Sequence, residues 1–510
     1  MKVAMLRTRW CVLLSALLTA SAGLPKDTDP QALVAKVRNY RMQNELRILH
    51  ELFELLAIPN VASNQTDIRR NAEHLRALLE KRGVRTQLLR AERGSPAVYG
   101  EKRVPGATRT VVFYMHYDGQ PVNPENWLSP PWRPIVRDTA GQAIELEQLQ
   151  TPVHPEWRVY ARSASDDKSP IVAVLTALDA LEAAGIPLSI NLKFFLEGEE
   201  EAGSPNLGAI LNKYADLLEA DAWIFCDGPV HQTRRKKVSF GARGITGVRL
   251  TVYGPIRPLH SGHYGNWAPN PIALLVHLLA SMRDPDGQIL IDGIYDAVRP
   301  LTESEKRALA EAPDIDALLR RELGLAWSEG SGRLEERLML PALNFRNIAA
   351  GGAAARNAIQ TEATAVLGFR LVPDLTPELV RQLTEAHIRK QGFHIVYDPP
   401  DLETRRSKQK IVKLQWGKGY PPFRTSMDLP IAQAVVRIVE EAAGEPIVKL
   451  PTSGGSLPLY IFDQTLHVPL IMVPMVNHDN NQHAENENLR IRNLWDGIEI
   501  YASLLARLGE

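Results

Sequence analysis

Apolar residues are distributed along this chain in two rhythms. The first consists of short, β-rich apolar runs: TVVFYMH (110–116), INLKFFLEG (190–198), AWIFCDG (222–228) and VPLIMVPM (468–475). They lack the alternation of half-exposed strands, so they predict strands covered on both faces, as in a mostly parallel sheet. Among them lies SPIVAVLTALDALEAAGI, where Ser169 can cap, Pro170 suits a first turn, and Ile171, Val174, Leu175, Leu178 and Leu181 share one helical face. Strand and helix alternate, and the fold class is α/β.

The second rhythm occupies 240–426. It runs strand (GVRLTVYG), Pro-started helix (NPIALLVHLLASM), strand (TEATAVLGFRLV), Thr-Pro-started helix (TPELVRQLTEAHIRKQ) and short strand (HIVYD). This order predicts an inserted α+β domain of ferredoxin-like type, elaborated by a charged helical stretch at about 302–340. Residues 23–239 and 427–510 would then form one domain around it.

Composition narrows the function classes. The chain has 510 residues, 45% of them apolar, and its 59 Lys and Arg balance 59 Asp and Glu. Without a basic block, nucleic acid is not an expected partner. Lys2, Arg7 and Arg9 precede the apolar stretch WCVLLSALLTASA, and Ala20-Ser21-Ala22 supplies small residues of the kind a signal peptidase selects. Residues 1–22 therefore read as a cleaved secretory signal, and the mature protein as secreted or periplasmic. The stretch is short for a membrane anchor, and no later segment has about 18 consecutive apolar residues, so no membrane partner is expected after cleavage. Cys226 would then be the only cysteine, which permits no intrachain disulfide.

The polar residues fall at the ends of the apolar runs. His116 and Asp118 follow TVVFYM, the cluster Glu197-Gly198-Glu199-Glu200-Glu201 closes LKFFL, and Asp227 follows AWIFC. These are the carboxyl ends of predicted parallel strands, where open α/β sheets hold ligands. His116 and Asp118, two apart, leave an extended backbone on the same face, so the carboxylate can brace the imidazole. Asp166 and Asp167 stand just before a predicted helix, and the polar loop NHDNNQHAENENLRI brings His483, with His478 as a competitor, ahead of a terminal helix patterned by Leu489, Ile491, Leu494, Ile498 and Tyr501. Histidines and carboxylates converging on one sheet edge suit zinc or manganese, whose charge lets the acids ionise together. Two divalent cations leave one acid over for chemistry.

The ordered set MHYDGQP (115–121), ARSASDDKSP (161–170), LEGEEEAGS (196–204), DG (227–228), LHSGHYG (259–265), GGSLP (454–458) and HAENE (483–487) resembles the co-catalytic di-metal peptidases that include carnosinase, aminoacylase and bacterial glutamate carboxypeptidase, with the carnosinase-like dipeptidases nearest. The resemblance implies a catalytic domain carrying an inserted lid and dimerisation domain, and two metal ions, zinc first, with manganese or cobalt as alternatives. It implies that His116 and Asp227 bind one ion, that Glu201 and His483 bind the other, and that Asp166 bridges both. Glu200 would be the general base and Asp118 would orient His116. Aligning Glu197-Gly198 and Gly203-Ser204 sets this register and leaves Glu199 as an extra, exposed acid. The resemblance further implies that His260 stabilises the oxyanion in the partner subunit of a homodimer, that Arg370 and Ser456, with Gly455, grip the substrate's terminal carboxylate, and that Asn357 lies near the scissile carbonyl.

Two departures from the family pattern touch backbone that usually turns tightly: Ala161-Arg162-Ser163 replaces glycine-arginine-glycine, and Ser169 replaces a glycine. The expected activity is hydrolysis of dipeptides or short peptides with a free C-terminal carboxylate. A deacylase of N-acyl amino acids is the alternative, and a non-catalytic peptide-binding relative is disfavoured by the presence of Glu200. An aspartate at position 227 is associated, through the resemblance, with substrates that keep a free amino terminus.

Overall fold

The computed structural model describes residues 29–351, 357–455 and 458–510. The segment read as a secretory signal and Ser456 lie outside the described residues. Each apolar run contains a strand, Thr110–His116, Asn191–Glu197, Ala222–Phe225 and Leu470–Met472, and all four lie in one eight-stranded sheet. Its spatial order is Arg85–Leu89, Ala97–Lys102, Asn191–Glu197, Thr110–His116, Ala222–Phe225, Leu470–Met472, Lys237–Ser239 and Val448–Leu450. The four predicted strands are mutually parallel neighbours, and antiparallel pairing is confined to their flanks.

These strands lack polar alternation because both faces are covered. Val111, Phe113 and Met115 enter one core, built with the helices Lys168–Ala183 and Ile491–Arg507, while Val112 and Tyr114 enter another with Phe195, Trp223, Phe225 and Phe462. Register then aligns the ends: His116 pairs with Glu197, and Tyr114 with Phe225. His116, the acidic cluster and Asp227 are thereby level at one carboxyl edge.

A second core belongs to a separate five-stranded sheet, ordered Ala342–Ala349, Glu362–Leu371, Gly244–Tyr253, Ile411–Trp416 and His394–Val396. It bears the helices Pro271–Met282 and Pro377–Lys390, each started by proline behind a capping Asn270 or Thr376. The α+β insertion is as expected, but it has five strands where three were expected. The pattern misses Ala342–Ala349, an edge strand whose last six residues are exposed and therefore carry no burial signature, and Ile411–Trp416.

Two local readings are corrected. The helix expected to be capped by Ser169 begins at Lys168 with Asp167 at the cap position, and the buried Ser169 Oγ has no partner among the described residues. Leu489 belongs to the short strand Asn488–Arg490, ahead of the terminal helix. Among the described residues, no helix is long and apolar enough to cross a membrane.

Candidate active site

The aligned strand ends deliver their polar residues into two adjoining clusters. Ligand-type atoms of His116, Asp167 and Asp227 lie within 4.8 Å of one another, as do those of Asp166, Glu201 and His483. Asp166 stands between the clusters. Its Oδ1 is 2.9 Å from His116 Nε2, its Oδ2 is 3.1 Å from His483 Nε2, and Glu201 Oε2 is 3.3 Å from the same His483 nitrogen. His478 is in neither cluster.

The acidic loop is held from below. After Glu197 the chain passes Gly198, where a Cβ would lie 2.5 Å from the Tyr117 hydroxyl, so only glycine lets the strand end approach that ring. Asp118, fully buried, accepts the N–H of Glu200 at 3.1 Å and of Glu201 at 3.0 Å. Its Oδ1 is 3.5 Å from His116 Nδ1. Asp118 therefore positions the loop by hydrogen bonds and faces the imidazole across a longer gap. Glu199, expected to be exposed, is buried: it accepts the Ser95 N–H at 2.6 Å and the Asn206 amide at 2.8 Å. In a run of three glutamates, only the fold decides which one turns inward to tie loops together.

Residues that the motif reading left without a role complete the support. Glu487, fully buried, accepts Arg162 Nη1 at 2.7 Å and, at 2.9 Å each, the N–H groups of Ser163, Ser165 and Asp166 and the Ser165 hydroxyl. It thereby fixes the backbone that carries Asp166. The signal was its place in HAENE, four residues after His483. Ser163 adopts φ 61°, the left-handed conformation a glycine favours, and is tied down by Glu487 and by Asn60, whose amide donates to its hydroxyl at 2.8 Å. Gln482 donates to Asp166, and Gln120 to Glu201, each at 2.7 Å.

Electrostatically the edge is crowded with acids. Burial, reinforced by the Asp166 carboxylate, pushes Asp227 up to about 6 and Glu201 up to about 8. Glu200 is pushed well above the usual carboxylate range by burial and by its acidic neighbours Asp227, Asp166 and Glu201. Asp166 is held below that range, because the two histidines outweigh its burial. The buried Asp227 Oδ1, Asp167 Oδ1 and His116 Nδ1 have no hydrogen-bond partner among the described residues. Nitrogen and oxygen donors crowded together, with acids unwilling to ionise and lone pairs unused, fit two divalent cations.

A cavity of about 640 Å³ opens over this edge, with Asp166, Glu200, Asp227, Gly455 and His483 in its wall. His260, Asn357 and Arg370 are not among its lining residues. His260, exposed, pairs in register with Ala358, and its ring stacks on His263 at 4.4 Å between centroids. Asn357 lies beside that pair and its carbonyl accepts the Ser261 N–H at 3.4 Å. Arg370 closes the strand Glu362–Leu371, opposite Ile245 and Ala342.

Residues 112–507 match the model of peptidase family M20/M25/M40. The chain belongs to that family. A Cys-Gly metallodipeptidase of Schizosaccharomyces pombe is 26% identical to this M20 chain over 423 residues, 81% of this chain and 83% of the relative. Beta-Ala-His dipeptidase of Homo sapiens is 25% identical over 434 residues, covering 81% and 78%. An M20 family metallo-carboxypeptidase from Sulfolobus solfataricus superposes with a TM-score of 0.72 at 27% identity, over 91% of this chain and 99% of that one. Human carnosine dipeptidase 1 shares the fold, with a TM-score of 0.70 at 23% identity over 94% and 99%. The α/β catalytic sheet with an inserted α+β domain is thus the architecture of an M20 peptidase.

Proposed function

We propose that this M20 peptidase hydrolyses dipeptides or short peptides with a free C-terminal carboxylate. The observation that carries the reading is the Glu200 carboxylate, in excess of two three-donor clusters yet lining the same cavity. His116 and Asp227, with Asp167 beside them, would hold one cation, and Glu201 and His483 the other, with Asp166 between the two groups; zinc is the first choice, with manganese or cobalt next. Cations bound there supply Lewis acidity and lower the pKa of a water. Glu200 takes the proton from the attacking water and returns it to the leaving amine, a role that its raised proton affinity favours. Asp118 holds the loop that aims Glu200, and Glu487 holds the turn that aims Asp166.

Residues 240–426 act as a lid and dimerisation unit. The exposed edge strand Ala342–Ala349, with Phe345 and Ile348 outward, and the outward Ile272 and Val276 of the helix Pro271–Met282 offer an apolar surface for a second copy. His260 and Asn357, adjacent to each other but absent from their own cavity wall, then serve the partner's site, with His260 donating to the oxyanion. Arg370, Gly455 and Ser456 take the substrate's carboxylate. The N-terminal pattern supports export. Both curated relatives above are named as dipeptidases, which supports the substrate class.

The test is a panel of dipeptides offered free, N-acetylated and C-amidated to the metal-replete enzyme. Free dipeptides should be cleaved best; preference for the acetylated set would replace the dipeptidase reading with a deacylase, and equal cleavage of acid and amide would remove the carboxylate clamp. Mixing inactive His260→Ala with inactive Glu200→Gln should restore activity in heterodimers. No recovery despite demonstrated subunit exchange would refute the crossed site.

A further inference from the structure

A second cavity, of about 310 Å³, adjoins the catalytic one and takes no part in metal binding or proton transfer. The two share Leu334 and Leu338 in their walls. Four arginines, Arg243, Arg283, Arg320 and Arg337, line it against two acids, Asp316 and Glu329. Glu329 pairs with Arg283, and Asp316 accepts the Leu334 N–H at 3.1 Å. Arg320 donates to the Ser328 hydroxyl at 3.3 Å. Even with both acids counted against the four arginines, the wall holds two positive charges in excess.

Arg243 is the group this wall leaves unfinished. It is 6% exposed, its Nη2 donates to the Leu340 carbonyl at 2.8 Å, and its buried Nε has no acceptor among the described residues. Neither Arg243 nor Arg337 forms an ion pair among the described residues. Burial, with the like charge of Arg370 added to it, pushes the Arg243 guanidinium down to about 10. A guanidinium withdrawn from water without a carboxylate beside it needs an anion. Its planar fork of donors suits a carboxylate best.

Position decides which carboxylate. The Arg243 N–H donates to the Gly455 carbonyl at 3.2 Å, and Gly455 lines the catalytic cavity. Arg370 is paired on one side with Ile245, two residues after Arg243, and on the other with Ala342, which lines the second cavity. The second cavity thus lies beside the groups proposed to take the substrate's terminal carboxylate, and the next carboxylate a dipeptide can offer there is on the side chain of its second residue. Resting on the dipeptidase reading and its carboxylate clamp, we infer that Arg243 and Arg337 form a subsite for that side-chain carboxylate. Guanidinium groups only donate, which matches an acceptor-only carboxylate and leaves a neutral amide with its NH₂ against a cation. The enzyme is therefore selective for dipeptides that end in Glu or Asp.

The experiment compares kcat/KM of the metal-replete enzyme for Ala-Glu, Ala-Gln, Ala-Lys, Glu-Ala and Gln-Ala. Ala-Glu should exceed Ala-Gln by about tenfold or more, the scale of one hydrogen bond to a charged group. The ratio should fall to about one in Arg243→Met and by a smaller factor in Arg337→Met. Equal rates for Ala-Glu and Ala-Gln in the wild type, Ala-Lys as the best substrate, or selectivity only at the first residue would each overturn the subsite. So would an Arg243→Met enzyme that slows Ala-Glu and Ala-Gln alike, because Arg243 would then hold the terminal carboxylate that both share. The wild-type panel and Arg337→Met decide even if Arg243→Met does not fold. Failure of the dipeptidase reading looks different, since no dipeptide would turn over. Calorimetry on metal-loaded Glu200→Gln then decides the subsite: about tenfold tighter binding of Ala-Glu than of Ala-Gln supports it, and equal binding overturns it.

Discussion

Two sets of buried carboxylates, one in the inserted domain and one at the catalytic sheet edge, are built on opposite plans. In the insertion, Glu385 accepts Arg381 Nε at 3.1 Å, Arg389 Nη2 at 3.0 Å, the Tyr397 hydroxyl at 2.8 Å and Trp416 Nε1 at 3.2 Å. Burial pushes this acid up, yet these donors hold it below its ordinary value. At the sheet edge the acids face histidines rather than a ring of arginine donors, and Glu200, Glu201 and Asp227 are all pushed up. Glu385 carries its counter-charges within the fold and has nothing left to bind. The edge acids are complete only when cations come from outside, and that deficit marks a site.

The contrast breaks hardest at Glu200. Glu200→Gln should lose kcat by about 10²–10⁴-fold, the range of a general base, while elemental analysis still finds both metals. Near-wild-type turnover in that protein would pass the base to another residue. Next in size is Glu487, a satisfied acid inside the catalytic domain. Glu487→Ala leaves the Arg162 guanidinium, 3% exposed, without its carboxylate, and should cost about 3–5 kcal/mol in urea unfolding. An unchanged midpoint would show that Glu487 is not what anchors the Asp166 turn.

A pH series on metal-stripped protein sharpens the comparison further. An acid whose folded pKa is raised binds its proton more tightly in the folded state. Its contribution is full below the unfolded value near 4 and is lost as pH climbs through about 6 for Asp227 and about 8 for Glu201. Tm of the stripped protein should therefore fall from pH 5 to pH 8.5, and added zinc should flatten the slope by taking the place of the protons. A stripped protein that gains stability over that interval would contradict the account. The smallest effect belongs to Glu385→Gln, whose arginine partners are about half exposed. It should cost about 1 kcal/mol and leave kcat/KM unchanged; a large loss of activity would place this knot in the catalytic machinery.

The legible part of the molecule was that in which local pattern and chemistry coincide. A doubly covered strand is apolar along its length, so its end is visible as the first polar residue, and His116 and Asp227 could be named from that alone. Glu199 shows the limit. It differs from Glu200 by one position in a run of identical side chains, and its inward turn depends on Ser95 and Asn206, brought close only by the fold. Serine can cap, which predicts a helix from Pro170, but the helix starts two residues earlier, at Lys168, with Asp167 at the cap position. The edge strand Ala342–Ala349 was invisible because a strand exposed on most of its length has no burial to impose a pattern.

The sequence by itself determined the α/β class, the inserted domain, and the set of histidines and carboxylates at the strand ends, because burial on both faces and the polar break at a sheet edge are written in local order. Tertiary structure alone decided that Asp166 stands between two clusters, and that Asp118 and Glu487 spend their oxygens on backbone N–H groups. These are relations between residues up to several hundred positions apart. Distance and counter-charge in three dimensions determine them, and neither has a period along the chain.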